Sequence, residues 1–153
     1  LMGPLYHLLE EQERVAAVEQ ALKALKPGGV LFASFISMNA GMVYAMKCKP
    51  DIIADPNEKG FYNTFLDGGS FSGKAFTQAF FIAQKEVLPF MARFPLEKLH
   101  LFGQEGMTSP CESNIMSQPK EIIDLWMDFT ELTCEREELL SWSEHLMYVG
   151  RKV

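Results

Sequence analysis

The sequence predicts an α/β fold built on a sheet with buried parallel strands. Three observations predict it. Strand-like and helix-like patterns alternate with short turns between them. A nearly all-apolar run, Val30 to Ile36, follows directly on a helix and the stop Pro27-Gly28-Gly29, as buried strands of parallel sheets do. The chain closes on a further run, His145 to Lys152, in which Leu146 and Tyr148 alternate with Met147 and Val149.

The opening Leu1-Met2-Gly3-Pro4 reads as the end of a buried strand whose beginning lies upstream, running into a turn. Glu10 to Lys26 then predicts a helix. Val15, Val18, Leu22 and Leu25 recur at helical spacing, and Glu11, Glu13, Arg14, Glu19 and Lys23 fill the other face. Proline and glycine end it, because one cannot continue the ladder and the other tolerates the left-handed turn. Val30 to Ile36 is expected to be a central strand covered on both faces.

The stretch from about 37 to 72 lacks a strong period and reads as an insertion or lid above the sheet. Asn39 is a candidate cap for a short helix carrying Met42, Val43 and Met46 and ending before Pro50. Ala75 to Ala83 reads as extended or a short strand. Gln84 to Phe94 follows as a helix that Pro89 kinks or begins, and Leu96 to Phe102 as a strand. Pro119 starts a last helix with an apolar stripe of Ile122, Leu125, Trp126, Phe129 and Leu132. No repeat or linker divides the 153 residues, which suit one domain.

Composition narrows the function classes. A net charge of -6 and the lack of a basic stripe speak against a nucleic-acid surface. No apolar run is long enough for a membrane helix. Cys48, Cys111 and Cys134 are too few and scattered for a disulfide framework or thiolate metal site, so no metal is expected and a reducing cytoplasm is the simple reading.

Two segments carry a family likeness. Gly3-Pro4-Leu5-Tyr6-His7-Leu8, set just before a helix, resembles the segment ending the fourth strand of class I S-adenosylmethionine-dependent methyltransferases. Ala21-Leu22-Lys23-Ala24-Leu25-Lys26-Pro27-Gly28-Gly29-Val30-Leu31 is similar to that family's turn into its fifth strand. The ending Ser143 to Lys152 resembles the closing strand of a bacterial small-molecule subgroup. The resemblance implies that the chain is the C-terminal part of one such domain, on a mostly parallel, Rossmann-like sheet with an antiparallel last strand and helices on both faces. The family's glycine-rich cofactor turn and the acidic residue ending its second strand have no counterpart here, and Met38 stands where a basic residue often follows the fifth strand.

The resemblance implies methyl transfer from S-adenosylmethionine to a small-molecule acceptor at the carboxyl ends of the strands. Met2, Gly3, Pro4 and Leu5 are the expected cofactor contacts, and Tyr6, Tyr44 and Glu105 the expected acceptor contacts. His7 is the candidate base, able to deprotonate an acceptor hydroxyl or amine and equally able to bond a neighbouring loop. His100 and His145 read as structural. The alternative is a non-catalytic, methyltransferase-like remnant acting as an interaction or dimerisation domain, a homodimer being one option. RNA or protein methylation is a weaker third.

Overall fold

The computed structural model describes residues 1–74 and 77–153. Its elements run α1 (Pro4–His7), α2 (Glu11–Ala24), β1 (Val30–Ser37), α3 (Met38–Cys48), α4 (Lys59–Leu66), β2 (Phe71–Lys74), β3 (Gln78–Ile82), α5 (Gln84–Met91), β4 (Leu96–Gly103), α6 (Glu112–Met116), α7 (Lys120–Thr133) and β5 (His145–Lys152). Short 3-10 segments fill much of the remainder. Among the described residues no helix is long and apolar enough to cross a membrane.

The sheet corrects the expected architecture. Its order is β2-β3-β1-β5-β4, and it is mixed and mostly antiparallel rather than mostly parallel. Among the described residues the one parallel strand pair is β1 with β3, over Ile36–Phe81 and Ser37–Ile82. β5 runs antiparallel to β1 on one side and to β4 on the other. β2 and β3 form an antiparallel hairpin that the sequence reading missed. The extended stretch expected over Ala75 to Ala83 is met by β3, while Ala75 and Phe76 lie outside the described residues.

Alternation of residues along β1 divides the core in two. Leu31, Ala33 and Phe35 point toward α2 and α5, where Val18, Leu22, Val87 and Met91 meet them, together with Leu5, Leu146 and Tyr148. On the opposite face Ile36 joins Met38, Ala40, Phe61, Ala79 and Phe81. That cover reaches only one end of β1. Val30 and Phe32 on the same strand are 37% and 49% exposed, so β1 is not covered on both faces as expected.

The helices expected from sequence form as α2, α3, α5 and α7, and α1, α4 and α6 form besides; two details of the expected ones differ. Ser37, not Asn39, caps α3, its hydroxyl accepting from the Asn39 amide. Arg14, assigned by period to the solvent face of α2, is buried. Its guanidinium donates to the carbonyls of Leu8 and Leu9 at 2.7 and 2.8 Å and stacks on Phe80 at 3.5 Å. Those bonds hold the α1–α2 connection against the sheet, because the two carbonyls need donors that apolar side chains cannot supply. At its other end α2 is closed by Lys152, whose ammonium donates to the carbonyls of Leu22 and Leu25. Leu1 is held beside β1 by its amine to Phe32 O and by its carbonyl from Ser34 N–H.

Phe35 is 1% exposed at the centre of the larger cluster, whereas Phe32 is half exposed. Phe35→Ala is therefore expected to cost about 3–5 kcal/mol and Phe32→Ala less than about 1 kcal/mol, read by urea denaturation.

Candidate functional site

β1 and β4 end, and β5 begins, at the same edge of the sheet, because β5 runs against both. The register pairs Gly103 with Leu146 and Ile36 with His145, so the residues just past β4 lie beside the start of β5. Gly103 is needed there: a Cβ on it would sit 2.6 Å from Ser143 Cβ, closer than any side chain allows.

Glu105 takes the place this close approach creates. One carboxylate oxygen meets His145 Nδ1 at 2.6 Å. The other accepts from Ser143 Oγ at 2.6 Å and from the His145 backbone N–H at 2.9 Å. In return the Glu105 N–H donates to Ser143 Oγ at 3.1 Å. Ser143 is fully buried, while the Glu105 and His145 side chains are each about one-third exposed. Gln104, between Gly103 and Glu105, donates through Nε2 to Ser34 Oγ on β1 at 2.7 Å.

The electrostatics follow from the contacts. Burial alone raises the Glu105 carboxyl, but the His145 and Ser143 side chains and the His145 N–H outweigh it and bring it down to about 2. His145 is raised above its ordinary value by the hydrogen bond to Glu105, against an opposing effect of burial. With Nδ1 held by the carboxylate, Nε2 is the nitrogen left to exchange a proton.

α1 brings aromatic rings to this edge. Tyr6 is half-buried, its ring centroid 6.2 Å from that of His145 and 4.8 Å from that of His7. His7 itself is exposed and has no hydrogen-bond partner among the described residues. Glu105 and Tyr6 thus lie on either side of His145, a histidine that reads as structural in the sequence. Tyr44 is not part of the cluster. It stands on α3, 53% exposed, with no ring or hydrogen-bond partner among the described residues. Met2 is 70% exposed and Pro4 exposed, but Leu5 is fully buried in the core and has no surface to offer a ligand.

A second polar group flanks the first. Lys47 on α3 lies 3.3 Å from both Glu112 and Glu144, and Ser109 Oγ donates to Glu144 at 2.8 Å. Two clefts lie elsewhere. One of about 240 Å³ runs between α2 and α5 with Arg14 and Arg93 at its wall, and another of about 420 Å³ opens beside α7. Among the described residues no three His, Cys, Asp or Glu side chains gather as a metal site requires.

The edge therefore presents a carboxylate-oriented imidazole beside a phenol, an arrangement suited to moving one proton to or from a bound group. No family model matches the chain, and no protein of curated function matches it in sequence.

The pair also ties folding to pH. Glu105 has a folded pKa below its ordinary 4.5, so its contribution is present above 4.5 and is lost as pH falls toward about 2. His145 has a folded pKa above 6.5, so its contribution is present below 6.5 and is lost as pH rises through the raised value. Glu105→Gln is expected to flatten both limbs of the stability profile, measured by urea midpoints across pH. Unchanged limbs in the variant would show that the pair does not carry them.

Proposed function

We infer that this chain forms the acceptor side of an S-adenosylmethionine-dependent methyl-transfer site, acting on a small molecule with a hydroxyl or amine proton to lose. The observation that carries this reading is the meeting of the Gly3–His7 turn with the Glu105–His145 pair at one sheet edge. The turn is where the family resemblance lies, and the pair is the chemistry an acceptor of that kind requires.

The start of the chain fits part of such a cofactor. Gly3 has φ 130°, and only the Tyr6 hydroxyl, at 3.7 Å, comes within 4 Å of where a Cβ would stand. Backbone can therefore lie flat against a ligand there, with Met2 exposed beside it and Pro4 fixing the turn. Met2, Gly3 and Pro4 would hold the cofactor, and Leu5 contributes only by anchoring α1 to the core. The bound cofactor supplies an electrophilic methyl group. The chain's own part is to place the acceptor and take its proton, which is work of proximity and base catalysis. His145 Nε2 accepts that proton while Glu105 holds the ring and stabilises the imidazolium. Tyr6 offers its ring as one wall. His7, the base expected from sequence, has no carboxylate bonded to it among the described residues.

Calorimetric titration of S-adenosylhomocysteine into the protein expressed from its complete gene tests the cofactor assignment. Micromolar binding is the expected result, and a folded protein with no detectable binding would remove the methyl-transfer reading. With phenol, catechol and amine acceptors, His145→Gln is expected to lower turnover about 100-fold without changing that affinity, and His7→Gln by less than about threefold. The reverse order would return the role of base to His7.

A further inference from the structure

We propose that the outer face of α7 is a docking surface for a basic amphipathic helix of another protein. This stands independently of the methyl-transfer reading, since none of its residues belongs to the Glu105–His145 cluster.

α7 is attached to the molecule by a narrow strip. Thr133 is its one buried residue, and Thr130 packs so closely on Gly106 that a Cβ there would meet its methyl at 2.4 Å. The apolar stripe that sequence assigns to this helix faces solvent. Ile122 is 41% exposed, Leu125 64%, Trp126 40%, Phe129 46% and Leu132 82%. Together they offer on the order of 500 Å² of apolar surface on one helix, as much as the largest patch on an ordinary monomer. At its inner border Ile122 and Trp126 join Met107, Ile115 and Trp142 around the cleft of about 420 Å³. A stripe at spacings of three and four residues with a pocket alongside is the geometry in which a second helix lays its apolar face and inserts one large side chain.

Charge selects the occupant. Between Glu112 and Glu138 the chain has eight acidic and two basic residues, a balance of -6 that equals its whole net charge; the remainder carries twelve of each sign. Both basic residues are already engaged, Lys120 with Asp124 and Arg136 with Glu138. Glu121 precedes Leu125 by one turn, and Asp128 lies between Leu125 and Leu132 at spacings of three and four, so an acidic edge borders the stripe. An antiparallel second copy, related by a two-fold axis, would set this edge against itself. A helix with lysine or arginine flanking its apolar face meets both the stripe and the edge.

The chain's two tryptophans, Trp126 and Trp142, both line the cleft, so intrinsic fluorescence reports on this surface directly. The probe is a synthetic, tryptophan-free amphipathic helix with a leucine stripe flanked by lysines, compared with the same helix flanked by glutamates. The lysine helix is expected to shift and quench the emission at micromolar concentration, more weakly as salt rises, and the glutamate helix to bind about tenfold more weakly or worse. Leu125→Gln with Leu132→Gln, and separately Glu121→Gln with Asp128→Gln, are each expected to weaken the lysine helix about tenfold with unchanged circular dichroism. Equal binding of the two helices, wild-type binding by either double variant, or no response to the lysine helix would overturn the proposal. So would dimer mass in sedimentation of the protein alone that disappears in the leucine variant, which would assign the face to a second copy.

Discussion

β5 is the strand on which the molecule depends. It lies between β1 and β4 and bonds antiparallel to both along its length, so neither neighbour belongs to one sheet without it. Its side chains serve both faces, with Leu146 and Tyr148 in the α2–α5 core and Met147 and Val149 buried opposite. Its far end closes α2 through Lys152, whose backbone also bonds Gly28 and Gly29. Its near end supplies the His145 amide and ring that fix Glu105. A single strand thus sets the sheet order, the helix stop and the polar cluster, through hydrogen bonds whose loss in a buried setting is costly.

Glu105 shows how a carboxylate earns partial burial. It accepts from three groups of one short segment, Ser143 to His145, which the chain reaches only after α7. Burial opposes its charge, and the bonds more than offset that opposition. The same contacts leave one imidazole nitrogen committed and the other open. Position and protonation state come from one interaction, so chemistry and folding at this edge cannot be altered separately.

Much of the local structure was legible in the sequence, because period and punctuation are local properties. α2, β1, β4, α7 and β5 fall close to where apolar spacing, Pro27-Gly28-Gly29 and Pro119 place them. The antiparallel last strand was expected from the family resemblance and is met by β5, but apolar pattern alone gives no strand direction, and the antiparallel β2–β3 pair that helps make the sheet mostly antiparallel had no local signal. The β2–β3 hairpin was missed because Ser72-Gly73-Lys74 has neither strong alternation nor a tight-turn signature. The α7 stripe was readable as apolar, but spacing cannot say whether a stripe faces its own core. Tyr6 and Glu105 were legible as candidates from sequence, and both lie at this sheet edge. His145 was not, since only the β4–β5 register brings it to Glu105. A histidine opening one strand and a glutamate just past the end of another was the available signal.

Both margins of the sheet bear on how the protein behaves when crowded. β2 is four residues long and ends in Gly73-Lys74, and β4 carries exposed Glu97, Lys98 and His100 with a register break between Lys98 and His100. Short length, charge and a bulge are the devices by which natural sheets refuse a further strand. The sheet is open in topology yet closed to growth, which guards it against fibrous accretion during synthesis and storage.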